Sequence, residues 1–476
     1  MSSVLKEFDA ITKIPRPSFH EEKIRDYLYN WAKERNIYVE SDEYKNIFMI
    51  KPASLGYESY KPIALQAHTD MVAEKALGVE HDFLNDPIEY FIDGDIVSTR
   101  GRTTLGADNG LGMAIILALF DDNTLKHPKL EGIFTSAEEE DFSGAANFDI
   151  NLIQSKYLIN LDCCNDNQIV CASAGGITFD GYKQLCYAEL EGEFIDCKIS
   201  ISGFQGGHSG EDIHKGRGNT NILLFRLLHL LSDLDFYLLD ISGGSFRLAI
   251  PRESSATIRI SKKDSNSLEK LVEEFREILI LEFPNSTDSI KIEIKETKSN
   301  KNPIKCKTFN DIKNYILTSP VDIQIMSNSF ENLVDCSCNL GEIFIRDDKM
   351  VIISDIRASY DSQRDFIVEK LKIIAKTYGL DYKTYGEYYN WQYKKESKLR
   401  SLVESVYTKN NREQVEIVAV HAGLESGFFD HKKDGMDIVS LGPNSWNFHS
   451  PMEAFSISSL KYFYKNLIEI LEFAKF

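Results

Sequence analysis

No uninterrupted apolar run in this sequence is long enough to cross a bilayer, which takes about 20 helical residues. The stretch MSSVLKEFDAITKI also lacks the continuous apolar core of a signal peptide, so a cytoplasmic location is expected. Positive charge is in deficit. There are 54 Lys and Arg against 73 Asp and Glu, a formal net charge of -19, and such a surface would repel nucleic-acid phosphates. Most of that charge reads as solvated acidic surface, and it is compatible with an acidic metal pocket. The eight cysteines are scattered. Cys163 and Cys164 are adjacent, and Cys336-x-Cys338 has no second Cys or His pair at zinc-ribbon spacing, so reduced, mostly buried thiols are expected. No Gly-x-Ser-x-Gly elbow occurs; Gly206-Gly207-His208-Ser209-Gly210 puts its serine in the wrong place. The Gly106–Gly110 loop is not a phosphate cradle, because Asp108 would repel phosphate and no Gly-Lys-Ser/Thr follows.

At 476 residues the chain is too long for one ordinary core, and two or three domains are expected. Residues 3–13 and 20–35 read as amphipathic helices, the second opened by Ser18 and carrying Ile24, Leu28 and Trp31 at helical spacing. Strand-like runs follow at 46–50, 62–67, 132–136 and 157–161, with an apolar helix at 111–120. Three of these runs end in chemistry: His68-Thr69-Asp70, Glu138-Glu139-Glu140 and Asp162. Apolar strands alternating with helices imply an α/β sheet covered on both faces, with ligand groups just past the strand ends.

From about residue 190 to 395 the pattern changes to strands at 195–202, 255–260, 290–295, 342–345 and 350–358, with helices at 222–231, 267–281, 309–317 and 362–378. Residues 256–260 and 353–357, each followed by a helix, look like equivalent positions of a doubled βαββαβ-type unit. A helix at 396–409, a strand at 416–420 and the segment bearing His449 resume the α/β pattern of the first third of the chain.

Residues i and i+2 of a strand share a face, so His68 and Asp70 can enter one pocket, the carboxylate orienting the imidazole. Taken singly, Asp108 could be a helix N-cap and the acidic run a solvated turn. Together, two histidines and three or four carboxylates at strand ends and loops match a two-metal hydrolase site, which can activate one water and polarise a carbonyl.

These motifs resemble those of the M20 metallopeptidases: His68-Thr69-Asp70-Met71-Val72, Thr104-Leu105-Gly106-Ala107-Asp108-Asn109-Gly110, Thr135-Ser136-Ala137-Glu138-Glu139, and Asn160-Leu161-Asp162. The runs 206–210, 212–219, 249–253 and His421-Ala422-Gly423-Leu424-Glu425 are similar to the aminoacyl-histidine dipeptidase branch (Xaa-His dipeptidase, PepD-like). The resemblance implies an α/β di-zinc catalytic domain, a mixed sheet between helices, at 1–189 and 396–476. An α+β lid at 190–395 is inserted into it. It implies His68 and Asp162 on one metal, Glu139 and His449 on the other, Asp108 bridging both, and Asp70 holding His68. Glu138 would be the general base acting on the bridging water, and the lid's His208 would steady the oxyanion. Asn219, Arg252, His421, Gly423 and Glu425 would bind substrate. The implied cofactors are two divalent metal ions, zinc first, with manganese or cobalt as substitutes. The implied partner is a small peptide, with no nucleic acid or membrane, and the chain acts as monomer or homodimer. Asp141 departs from the glycine that relatives carry there. Beside an Xaa-His dipeptidase stand an N-acyl-amino-acid deacylase or short-peptide aminopeptidase and, in another class, a non-catalytic metal- or peptide-binding protein. Glu138 argues against the last, since pure binding has no use for a proton carrier.

Overall fold

The run Ile63–His68 forms a strand whose six residues are all buried, as an apolar run covered on both faces must be. It lies within an eight-stranded sheet in the computed structural model, which describes residues 2–286, 289–410 and 415–476. The strand order is Tyr38–Ser41, Ile47–Lys51, Leu130–Thr135, Ile63–His68, Tyr157–Asn160, Asp437–Ser440, Gln168–Ser173, Glu416–Val420. The four central strands, from Leu130–Thr135 to Asp437–Ser440, are parallel, whereas Tyr38–Ser41, Ile47–Lys51 and Gln168–Ser173 pair antiparallel. The sheet is mixed, as expected.

Helix Ala107–Asp121 is apolar on every side and almost wholly buried, which suits a helix packed within a core rather than against one. Phe8, Leu28, Trp31, Leu65, Ile116, Phe134, Tyr407 and Phe463 share that core. Helix Glu22–Glu34 buries Ile24, Leu28 and Trp31, but its N-cap position is Glu21. Ser18, expected to open it, instead donates to Asp70 Oδ2 at 2.8 Å. Asp108 is not an N-cap either: Gly106 holds that position, and Asp108 itself has extended torsions, φ -82° and ψ 108°.

The chain divides into two units, Met1–Ser173 with Trp391–Ala419 and Leu424–Phe476, and Ala174–Asn390 with Val420–Gly423. The first boundary falls at Ala174 rather than at 190, because Gly175–Gln184 is already a strand of the second unit's sheet. Likewise Asp381–Tyr388 is the last strand of that sheet, and the chain leaves it at Trp391. The second unit's sheet runs Lys291–Thr297, Phe194–Ser202, Ser254–Ser261, Phe236–Gly243, Val334–Arg346, Lys349–Ala358, Gly175–Gln184, Asp381–Tyr388, with Asp322–Met326 paired to Val334–Arg346. It contains two βαββαβ units whose second strands meet in the middle.

Some elements carry little sequence signal. Asp381–Tyr388 is an exposed edge strand without apolar alternation, and Asp437–Ser440 is only four residues long. The long helix Ile457–Phe473 is a further element beyond those expected, although it buries Leu460, Phe463, Leu467 and Ile470 at helical spacing. All eight cysteines are free, but four are buried, one half-buried and three exposed, fewer inside than expected.

Candidate metal centre

The acidic and histidine side chains of the first unit converge where the four parallel strands end. His68 is the last residue of its strand, Glu138 and Glu139 follow Thr135, and Asp162 follows Asn160. His449 lies on the turn between the paired strands Ser445–Trp446 and Ala454–Ser456, with a left-handed φ of 56°. Loop 103–106 then delivers Asp108.

His68 Nε2 is 2.9 Å from Asp108 Oδ1 and 3.8 Å from Asp162 Oδ1. On the other side, His449 Nε2 is 3.5 Å from Asp108 Oδ2 and 2.8 Å from Glu139 Oε2. One carboxylate therefore faces both imidazoles. Behind His68, Asp70 Oδ1 stands 3.3 Å from Nδ1, and the two Asp70 oxygens accept the main-chain N–H of Glu138 at 3.0 Å and of Glu139 at 3.2 Å.

The electrostatics follow from crowding carboxylates in a buried place. Burial, then the charges of Glu139, Asp162 and Glu425, push Glu138 well above the usual carboxylate range, against the pull of His68. Burial and Asp108 do the same to Asp162. Burial works against ionised Asp108 too, but bonds from His449 and His68 outweigh it and hold its carboxyl low. Burial disfavours the His449 cation, yet Asp108 and Glu139 raise its pKa to about 11. Among the described residues the two imidazoles and buried Arg16 face this carboxylate cluster, whose imidazole and carboxylate groups are a donor set suited to divalent cations.

Residues 199–287 match the M20 peptidase dimerisation domain. Over 467 residues the chain is 37% identical to the cytosol non-specific dipeptidase of Escherichia coli (strain K12), covering 98% of this chain and 96% of that one. The chain belongs to the M20 peptidase family. Among solved structures, the aminoacylhistidine dipeptidase of Vibrio alginolyticus is 32% identical, with a TM-score of 0.86 over 99% of this chain and 96% of that one. The aminopeptidase PepT of Bacillus cereus, at 14% identity and TM-score 0.57 over 99% and 98% of the two chains, shows the same fold.

A metal fits the M20 residues present. Ligand atoms of His68, Asp108 and Glu139 all lie within 4.8 Å of one another, and Glu139 Oε1 is buried with no hydrogen-bond partner among the described residues. Cys163 is a poor addition, since burial pushes its thiol up to about 12 and its Sγ is turned to the Asn165 carbonyl. Asp141 is exposed and accepts from Ser143 N, so the turn after the glutamates accommodates its side chain.

The other expected residues divide. His208 lies in the second unit, where its Nδ1 accepts from Glu211 N at 3.1 Å and its Nε2 is 3.4 Å from Arg357. Asn219 caps helix Thr220–Leu230 and donates to Asn339 and Leu340, so its amide has no group left for a peptide. Arg252 is exposed and Gly423 half-buried. His421 is buried against Ser337 Oγ at 2.7 Å. Glu425 is fully buried in the first unit, its Oε2 accepting from Gln66 at 2.5 Å and Thr135 at 2.7 Å, so that this oxygen supports the strand ends.

Sequence reasoning missed that support. Asn160 Nδ2 donates to Gln66 Oε1 at 2.5 Å, and Ser440 Oγ to Asn160 Oδ1, so a polar layer crosses the parallel strands beneath the candidate ligands. Its signal is the single polar residue inside each apolar run, Gln66 and Asn160. Arg16, between two prolines, and Glu453 escape notice with no such signal. Arg357, 3% exposed and bonded to Tyr388 OH at 2.9 Å, reads in the sequence only as part of a strand.

Proposed function

We propose that this M20 protein is a dipeptidase that hydrolyses Xaa-His and related unblocked dipeptides at a centre of two divalent metal ions. The observation that carries the reading is Asp108, whose two oxygens face His68 and His449 respectively. His68 with Asp162 would hold one ion and Glu139 with His449 the other, Asp108 serving both; zinc suits imidazole and carboxylate donors, with manganese or cobalt as substitutes. Such ions, when bound, polarise the scissile carbonyl and acidify water.

The chain's own residues do the rest. Glu138 takes a proton from the attacking water and returns it to the leaving amine nitrogen. Asp70 orients His68 and, through two main-chain bonds, the Glu138-Glu139 turn. In the second unit, the bond from Glu211 N to His208 Nδ1 leaves the imidazole proton on Nε2, beside Arg357. Two donors together suit a carbonyl oxygen that gains negative charge.

The name of the Vibrio relative supports a preference for Xaa-His, and that of the Escherichia relative a wider range and a cytoplasmic location. The match to a dimerisation domain supports a homodimer. A panel of unblocked dipeptides, assayed with zinc, manganese and cobalt in turn, tests the reading. Cleavage is expected from wild type and not from Glu138→Ala. No cleavage with any metal, or equal rates in the two proteins, overturns it; faster cleavage of acylated counterparts would make the enzyme a deacylase.

A further inference from the structure

Two buried side chains of opposite charge grip the loop that delivers Asp108, and neither belongs to the ligand set. Arg16 is 1% exposed; its Nη1 donates to the carbonyls of Thr69 at 2.9 Å and Asp70 at 2.6 Å, and its Nη2 to that of Gly106 at 2.5 Å. Glu453 is 2% exposed; its Oε2 accepts from Leu105 N at 2.7 Å and Gly106 N at 2.9 Å, and its Oε1 from Asp108 N at 3.1 Å. Gly106 is thus held by its carbonyl from one side and by its amide from the other.

What these groups connect gives the arrangement its meaning. Arg16 joins the segment just past His68 to the Asp108 loop. Glu453 belongs to the same turn as His449, closed by its own N–H to Ser450 O at 3.1 Å, and joins that turn to the same loop. The three segments that carry His68, Asp108 and His449 are therefore tied together through main-chain atoms by two charges. Burying a charge is a weak device for stability alone, because desolvation costs several kcal/mol per ion and apolar packing usually serves as well. The directional bonds of a buried charge are better suited to fixing geometry.

We infer that Glu453 and Arg16 are positioning residues that set the Asp108 carboxylate between His68 and His449 and so set the affinity for metal. The inference rests on the two-metal reading above. Glu453→Gln is the sharpest probe. It keeps the volume, but whichever way the amide turns, its NH2 meets a main-chain N–H that needs an acceptor. Arg16→Lys keeps the charge and loses the planar fork that reaches three carbonyls.

The readout is zinc affinity of the metal-stripped full chain, measured by competition with a chromophoric chelator, with far-UV circular dichroism as the check on folding. Each variant is expected to weaken zinc binding by roughly tenfold to a hundredfold, the usual effect of removing a group that orients ligands. At saturating zinc, kcat should fall more than KM rises. If wild type binds zinc and both folded variants bind it with unchanged affinity, the positioning role is refuted while the metal site stands. If wild type itself takes up no zinc, the two-metal reading falls and this inference with it. Should Glu453→Gln fail to fold, Arg16→Lys decides alone.

Discussion

Asp70→Asn removes one charge and almost no volume, and the geometry says which bond breaks. Asp70 is fully buried. Its Oδ1 serves Glu138 N at 3.0 Å and faces His68 Nδ1 at 3.3 Å; its Oδ2 serves Ser18 Oγ at 2.8 Å and Glu139 N at 3.2 Å. Burial would raise its pKa, but His68, Ser18 and the Glu138 amide hold it low, so the group is ionised. An Asn amide nitrogen in place of Oδ1 would confront two donors. In place of Oδ2 it confronts one, since the Ser18 hydroxyl can turn and accept. The variant therefore adopts the second orientation and leaves the Glu139 N–H unsatisfied, at about 1–3 kcal/mol. The fold also holds the Asp70 carboxyl below its ordinary pKa, so losing that charge adds to the cost and the metal-free variant should be less stable than wild type. A further loss appears with metal: a tenfold to hundredfold weaker zinc affinity is about 1.4–2.8 kcal/mol. Melting curves with and without zinc measure it directly. Wild-type zinc stabilisation and wild-type kcat in Asp70→Asn would refute the argument that Asp70 positions both His68 and the glutamate turn.

Three other outcomes are expected. His449→Ala should abolish dipeptidase activity while far-UV circular dichroism shows the fold retained, because the side chain is half-exposed; near-normal turnover at saturating metal would mean that the ligand set is wrong. Gly106→Ala should destabilise by about 2–4 kcal/mol in urea unfolding, since φ is +69° and a Cβ would lie 2.6 Å from Arg16 Nη2 and 2.8 Å from Met71 Sδ; a loss under about 1 kcal/mol would show that the loop yields. Burial, then the Arg357 guanidinium, hold His421 down to about 3 against an ordinary 6.5. The unfolded chain therefore binds the extra proton between those values. His421's contribution is complete above pH 6.5 and is lost as pH falls towards 3, by about 1.4 kcal/mol at pH 5.5. His421→Gln should flatten that part of the acid slope, and an unchanged slope would place the charge elsewhere.

The candidate ligands of the centre are legible where strand ends are legible. An apolar run that stops at a histidine or a carboxylate marks both the sheet edge and the group delivered there, and His68, Glu139 and Asp162 are read this way. Asp108 and His449 sit on loops and are reached through their neighbours in motifs. The residues that hold them are not legible, because Arg16 and Glu453 act on main-chain atoms remote in sequence, and nothing local distinguishes them from surface charges. Asn219 shows the converse: motif membership points to substrate, but its side chain is committed to the helix start and to Asn339 and Leu340.

The weak likeness between residues 256–260 and 353–357 has a topological cause. They lie on Ser254–Ser261 and Lys349–Ala358, each the third strand of a βαββαβ unit, and the two units meet through the antiparallel pair Phe236–Gly243 and Val334–Arg346. The units do not follow one another along the chain. The whole of Phe194–Thr297 is inserted between the first strand of the other unit, Gly175–Gln184, and its first helix, Cys306–Thr318. A periodicity search expects tandem copies, so nesting conceals the repeat. His208 lies between the first strand and first helix of the inner unit, Phe194–Ser202 and Thr220–Leu230. In the outer unit that same connection is occupied by the inner unit itself. Among the described residues there is accordingly one loop of the His208 kind, because the topology leaves no place for a second.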